Sequence, residues 1–359
     1  MTRFAISVPV GAWHPFLPAC LESLRCQDAD LHVALMDASA DPRVEALGDK
    51  HDDWLAYRHH GPDGGQSDAI QKGWAAVDSD WLGWLNADDI LMPDALAKVL
   101  AKQASEPDLD IVYGHSSILD ERGSMIGYHF NVEPPGERLL QAGIISQPSC
   151  FFSRAAYDNI GGIDPDRHYT MDWDLWLRLY ASGARFGFLD DVLSMVLWGA
   201  DTKTASLNSA RRAELKSLID KYAPDQDQKR TFRAFAIHAL ADRVWPEALR
   251  ERIVRRLRRS GPRLFGLRAD GQIDHKAILS LAHYDSNPKT GLRLEFVRPA
   301  IELQIDCDLQ HRAEVGPDAC SHTLLFEQPL AANVLSSITL RTDADPIYFK
   351  SATWLTDCA

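Results

Sequence analysis

The chain has 359 residues, 45% hydrophobic and 25% charged, with a formal net charge of −13. These proportions exclude a disordered chain, no run reaches the roughly 18 apolar residues of a membrane-spanning helix, and the acidic balance argues against a general nucleic-acid binder. The length exceeds the roughly 250 to 300 residues at which a single core stops growing, so two domains are expected.

Met1 leads within a few residues into the apolar run Phe4-Ala5-Ile6-Ser7-Val8-Pro9-Val10, without the sections of a secretory signal, and a cytoplasmic location is expected. The six cysteines are scattered, with no Cys-x-x-Cys pair and no histidines at zinc spacing, as befits reduced structural thiols. Strands are predicted at 4–10, 32–37, 54–58 and 81–85. Apolar residues recur at helical spacing across 16–26, 44–51 and 67–77, with Pro15 and Pro42 near two of the helix starts. This alternation is the pattern of a mostly parallel sheet covered by helices. A helix is expected from Pro93 to about 104, added strands at 111–113 and 116–128 with a turn at 121–123, and a helix at 172–180 ended by Ser182-Gly183. The stretch 206–267 reads as almost wholly helical, and short alternating segments after about 273 suggest a small β-sandwich-like tail. The expected division is therefore an α/β domain at 1–204, a helical segment at 205–268 and a β-rich accessory domain at 269–359.

In open α/β sheets the ligand lies beyond the carboxyl ends of the strands. Asp37 ends the second predicted strand and Asp88-Asp89 follow the fourth. Adjacent carboxylates at an apolar strand end are costly without a cation, and oxygen donors of this type suit Mg²⁺ or Mn²⁺. The plainer alternative is that one of them caps the following helix. Gly61-Pro62-Asp63-Gly64-Gly65-Gln66-Ser67-Asp68 places a glycine turn before a helix on the same edge, where backbone amides can approach phosphates; Gln66-Ser67-Asp68 also reads as a simple cap. The turn fits neither the dinucleotide fingerprint nor the phosphate-loop pattern.

The sequence resembles the inverting family 2 glycosyltransferases of the GT-A fold across about residues 4–198. The resemblance rests on Ile6-Ser7-Val8-Pro9-Val10 with Phe16-Leu17 and Leu21-Glu22-Ser23-Leu24, on Met36-Asp37-Ala38-Ser39-Ala40-Asp41, on the run from Asp63 to Gly73, on Trp84-Leu85-Asn86-Ala87-Asp88-Asp89, on Gln147-Pro148-Ser149-Cys150-Phe151-Phe152, on Gly161-Gly162-Ile163-Asp164 and on the run from Met171 to Arg178. It implies transfer of a sugar from a UDP-, dTDP- or GDP-type donor to a glycan or lipid-linked acceptor, often in bacterial cell-surface polysaccharide synthesis. Asp37 then accepts a hydrogen bond from the base, with Pro9 lining its pocket. Gly65, Gln66 and Asp68 fall among the donor contacts, Asp88 meets ribose or metal, and Asp89 meets a Mn²⁺ or Mg²⁺ ion bridging the diphosphate. Asp172 matches the general base, and Gln147 falls on the acceptor side.

An inverting displacement needs one carboxylate to take the acceptor proton while positive charge stabilises the leaving diphosphate. Asp172 and Asp174 cannot share that task, because residues two apart on a helix point in different directions. Asp174 is expected to be structural, as a helix-start anchor or as the partner of Arg178. Trp173 and Trp176 are either a sugar platform or core residues. Two departures from the family stand out: Gln71 replaces an asparagine in the glycine-rich motif, and Leu197-Trp198-Gly199-Ala200-Asp201-Thr202-Lys203-Thr204 lacks the Arg-x-His histidine. Metal binding then rests on Asp89, diphosphate oxygens and water, with Lys203 a charge partner for the diphosphate.

Between Arg250 and Arg268 there are eight arginines and one acidic residue, Glu251. Leu249, Ile253, Val254 and Leu257 share one side of that helix pattern, which fits either a peripheral contact with an anionic membrane at the inner face or a solvated face packed on its own domain. For the tail, homo-oligomerisation, acceptor binding and domain packing stand as candidates. Two other functions compete with sugar transfer. A sugar nucleotidyltransferase should carry a basic glycine-rich loop after the first strand, which Val10-Gly11-Ala12-Trp13-His14 does not supply. A non-catalytic nucleotide-sugar binder has no need of Asp88, Asp89 and Asp172 together.

Overall fold

The computed structural model describes residues 2–129, 131, 133, 135–199, 209–224, 261–334, 336–343 and 346–356. Up to residue 222 the elements are β1 (Arg3–Val10), α1 (Leu17–Arg25), β2 (Asp30–Asp37), α2 (Pro42–Lys50), β3 (Tyr57–His60), α3 (Gln66–Ala75), β4 (Trp81–Trp84), β5 (Ile90–Leu91), α4 (Ala95–Ser105), β6 (Ile111–Leu119), β7 (Met125–His129), α5 (Gly136–Gln141), β8 (Cys150–Ser153), α6 (Arg154–Asn159), α7 (Met171–Ala181), β9 (Phe186–Leu197) and α8 (Ser209–Tyr222). Two compact units divide the chain: residues 1–116, 131–195 and 206–236 form the first, and 117–130, 196–205 and 237–359 the second.

The first unit is an α/β domain with strand order β6-β8-β4-β1-β2-β3. The run from β4 through β1 and β2 to β3 is parallel, whereas β8 is antiparallel to both β4 and β6, so the sheet is mixed. Successive side chains of a strand point to opposite faces, and β1 shows it. Phe4, Ile6, Val8 and Val10 join Leu17, Leu21 and Leu24 of α1 in one buried cluster, while Ala5 joins the opposite cluster with Trp74, Trp84 and Trp176. Ser7 faces α3 where a Cβ on Gly73 would stand 2.4 Å from the Ser7 Oγ, so this helix approaches the sheet through a residue without a side chain.

The second unit contains two antiparallel sheets. In one, strand 289–296 lies between 321–330 and 347–355; in the other, 336–341 lies between 276–281 and 304–307. The hairpin β7 adds to strand 347–355 at Ala352↔Met125.

Several expectations are corrected. The predicted strand 54–58 begins only at Tyr57, because Trp54 closes the turn after α2 and donates its ring N–H to His51 Nδ1 at 2.9 Å. Residues 111–119 form one strand rather than two, and the two-residue strand β5 is additional. The helix expected to reach 267 does not do so: residues 263–264 and 267–268 pair as a tight antiparallel hairpin. Phe265 and Gly266 both take positive φ at its tip, the geometry of a hairpin turn that opposes a helix. The arginine-rich stretch 250–259 lies outside the described residues, as does Lys203. Helix α8 belongs to the first unit and 117–130 to the second. Among the described residues no helix is long and apolar enough to cross a membrane.

Candidate active site

The carboxyl ends of β1, β2 and β3 are aligned by the register Val10↔Asp37 and Asp37↔His60. Asp37 is 3% exposed, and its carboxylate is fully oriented. One oxygen accepts from the Ser39 amide at 2.8 Å and the Ser39 hydroxyl at 2.5 Å, and the other meets His60 Nδ1 at 2.7 Å. Pro9 lies opposite Met36, two residues beyond the last β4 partner of β1, where the sheet does not need the amide that proline lacks.

The glycine turn feeds α3. Gly65 precedes the helix at φ 102°, a conformation that strains any side chain-bearing residue. Asp68 accepts from the Gly64 amide at 2.8 Å and pairs with Lys72 at 2.7 Å; Lys72 and that amide hold its carboxyl below the ordinary range. Asp68 therefore closes the turn. Gln66, the first helical residue, points instead to the β4 end, donating to the Asn86 side-chain oxygen at 2.7 Å. The Asn86 amide nitrogen in turn reaches Asp89 Oδ2 at 2.9 Å and Gln147 Oε1 at 3.2 Å, and Gln147 donates to the Trp84 carbonyl at 2.7 Å. Asp89 is buried and Asp88 half-buried. Beneath them burial, followed by the negative charges of Asp89 and Asp88, pushes the Cys20 thiol well above its usual value. That thiol stays protonated and donates to the Asn86 carbonyl.

On α7, Asp172 Oδ1 accepts from the Trp173 amide at 2.8 Å at the helix start. Asp174 is 1% exposed and bonded to Arg178 Nε at 2.6 Å, while Arg178 Nη1 donates to the carbonyls of Ile160 and Gly162. Asp174 is thus built into the protein, and Asp172 is the one set at the mouth of the helix. Trp173 and Trp176, at 3% and 0% exposure, offer no open ring face for a sugar. Trp173 donates its ring N–H to the Leu139 carbonyl, and Trp176 stacks on Trp84 at 5.9 Å. Both are core residues, because α7 turns its Trp173, Trp176 and Leu177 side into the cluster beneath β4 and β8. Gln71 accepts from the Tyr157 hydroxyl at 3.2 Å, which gives the unusual glutamine a packing role away from the sheet edge.

Adjacent residues at the start of α3 join the two halves of this site. Gln66 binds Asn86, while the Ser67 hydroxyl lies 3.2 Å from Met171 Sδ and 3.4 Å from the Arg167 carbonyl, at the start of α7. Three residues not singled out as site members from the sequence belong to this arrangement: His60, Asn86 and Ser67. A histidine at the same strand edge as Asp37, and the asparagine inside the acidic motif, were the available signals.

The first unit has the mixed α/β fold of the GT-A class. Residues 11–161 match the family model described as Glycosyl transferase family 2, and the chain carries a family 2 glycosyltransferase domain. It is 28% identical over 186 residues to a PGL/p-HBAD biosynthesis glycosyltransferase of Mycobacterium tuberculosis, spanning 50% of this chain and 71% of that protein. It is 25% identical over 216 residues to the O-antigen biosynthesis protein RfbC of Myxococcus xanthus, spanning 58% of this chain and 17% of that one. Among solved structures, S. aureus TarS 1-349 in complex with UDP-GlcNAc superposes with a TM-score of 0.50 at 14% identity, covering 72% of this chain and 82% of TarS, a likeness of fold.

Proposed function

We propose that the chain is an inverting, metal-assisted glycosyltransferase that moves a sugar from a nucleoside-diphosphate donor to a hydroxyl of a glycan or lipid-linked acceptor in cell-surface glycan assembly. The observation that carries this reading is the pairing at the start of α3: Gln66 reaches the Asn86–Asp89 group while Ser67 touches the residue before Asp172. The reading takes Asp89 as the donor-side carboxylate and Asp172 as the proton acceptor, with the start of α3 between them. The relatives named for PGL/p-HBAD and O-antigen biosynthesis support a cell-surface glycan acceptor.

In this reading Asp37, fixed by Ser39 and His60, presents a carboxylate to the ring N–H of a uracil, thymine or guanine base. The amides around Gly64 and Gly65 approach the ribose or phosphates without a side chain in the way. Asp89 and Asp88 offer oxygen donors alone, and among the described residues no three His, Cys, Asp or Glu side chains gather into a cage. Such a donor set fits Mg²⁺ or Mn²⁺ held by one or two carboxylates with the remaining ligands from diphosphate and water. Bound there, the ion would supply positive charge to the departing diphosphate. Asp172 removes the acceptor proton on the opposite side of the anomeric carbon.

The test is Asp172→Asn assayed for nucleotide release from UDP-glucose, dTDP-glucose and GDP-mannose with Mn²⁺. The change keeps size and removes basicity, so kcat should fall by about 10² or more while donor KM stays close to the parent's. Parent-like kcat in this variant would sink the assignment of the base.

A further inference from the structure

Helix α8 begins 37 residues after Asp172 and outside the 11–161 match, yet it packs into the same buried cluster as the base helix. Leu215, Leu218 and Ile219 at helical spacing are buried in the same cluster as Trp173, Trp176 and Leu177, so an apolar stripe seats α8 on the first unit. Beside that stripe stands Glu214. One of its carboxylate oxygens accepts from the His168 amide at 3.1 Å; the other accepts from the amides of Tyr169 at 2.9 Å and Thr170 at 3.1 Å and from the Thr170 hydroxyl at 3.0 Å.

These four bonds fall on the three residues leading into α7. Thr170 is the residue that should cap the helix with its own side chain, but it makes no such cap and gives its hydroxyl to Glu214 instead. Glu214 thus holds the three residues ahead of the helix by their amides, while the first-turn amide of Trp173 goes to Asp172 Oδ1. Outside these four bonds, on the exposed side, Arg167 donates to the Ser217 hydroxyl at 3.1 Å. One turn before Glu214, the half-buried Arg211 interacts electrostatically with Asp172, so the negative charge at Glu214 does not stand alone beside the base.

We propose that Glu214 is a positioning residue for sugar transfer: by gathering the amides of His168, Tyr169 and Thr170 it fixes the start of α7 and so the direction in which Asp172 presents its carboxylate. This inference rests on the reading of Asp172 as the base. Its physical content is specific. Charge-assisted bonds to three consecutive amides orient a backbone segment more tightly than a single neutral cap, and a reacting group displaced by about 1 Å can lose 10²-fold in rate.

The experiment compares Glu214→Gln, Glu214→Ala and Ser217→Ala with Asp172→Asn in the full chain. Nucleotide release is followed with whichever of UDP-glucose, dTDP-glucose and GDP-mannose the parent turns over, and amide hydrogen exchange is read across 167–173. Glu214→Ala should lower kcat by about 10- to 100-fold with donor KM within about twofold of the parent's. Exchange should rise at 168–172 and stay unchanged in β1 and β4. Glu214→Gln retains one acceptor oxygen and should fall between parent and alanine variant. Ser217→Ala should keep parental kcat. A merely structural role would lower the melting temperature and raise exchange across α8 without separating kcat from KM. Parental kcat in both Glu214 variants beside an inactive Asp172→Asn overturns this inference and leaves the base assignment standing; parental kcat in Asp172→Asn overturns both.

Discussion

The Asp174 carboxylate lies 2.6 Å from Arg178 Nε, one helical turn further along α7, and only 2% of the Asp174 side chain is exposed. Arg178 spends its other contacts on the carbonyls of Ile160 and Gly162, so the pair ties α7 to the Gly161-Gly162 turn. Removing one charge from a buried pair strands the other, at a cost of about 3 kcal/mol or more. Asp174→Asn should therefore lower the melting temperature by several degrees while molecules that remain folded keep near-parental kcat. An undiminished melting temperature together with lost turnover would reverse the roles of Asp172 and Asp174.

Asn86 gives a second prediction, because Gln66, Asp89 and Gln147 all use its side chain. Asn86→Ala leaves three polar groups at the β4 edge to find other partners, each at a penalty of about 1 to 3 kcal/mol if it finds none. Nucleotide-diphosphate affinity in the presence of Mn²⁺ should fall by about 10-fold or more. Calorimetric titration of UDP, dTDP and GDP into parent and variant checks this, and equal affinities would remove Asn86 from the donor site.

How much of this was readable beforehand depends on how far apart in the chain the partners lie. Asp37, Asp88 and Asp89 announced themselves because each follows a short apolar strand, and strand ends are visible locally. His60 was not recognised, since its meeting with Asp37 follows from the register of β2 against β3 rather than from any pattern around it. Trp173 and Trp176 illustrate the reverse: aromatic residues beside a candidate base read equally as platform or core, and only the packing of α7 under β4 decides. Glu214 is 44 residues from Thr170, and nothing between them foretells that the two meet. The hairpin at 263–268 is hidden in the sequence because the preceding arginine-rich stretch carries helical spacing, whereas Phe265 and Gly266 turn through positive φ.

Stability should depend on pH through the histidines. Burial pushes His51, His115, His283 and His322 below the ordinary value of 6.5. The geometry at His51 agrees with that direction: its Nδ1 accepts the Trp54 ring N–H, which requires an unprotonated nitrogen. A histidine whose folded pKa lies below its unfolded one takes up a proton on unfolding between those two values, so stability rises with pH across that window and is lost on acidification through it. Urea midpoints measured from about pH 7.5 down to about pH 5.5 should stay nearly level above about pH 7 and fall below it, before carboxylate protonation begins. A flat profile would mean that these rings titrate alike in both states.

The last prediction concerns the contact that seats α3, and with it Gln66 and Ser67, on the sheet. Gly73 faces Ser7, whose hydroxyl is buried and hydrogen-bonded to nothing among the described residues. A Cβ at position 73 would stand 2.4 Å from that hydroxyl, 3.1 Å from the Ser7 Cβ and 3.2 Å from the Ala34 Cβ. Two effects oppose each other in Gly73→Ala. Helix propensity favours alanine by about 1 kcal/mol, but overpacking a tight core costs typically 1 to 3 kcal/mol, and here the nearest atom is far inside contact distance. The clash wins, and the single variant should be destabilised with raised donor KM, since α3 must lift and carry Gln66 away from Asn86. Ser7→Ala alone removes an unsatisfied hydroxyl and should be neutral or stabilising. In the double variant the closest clash disappears while contacts of 3.1 and 3.2 Å remain, so much of the lost stability and donor KM should return. Additive behaviour of the two substitutions in chemical unfolding, with no coupling between positions 7 and 73, would show that α3 does not rest on this contact.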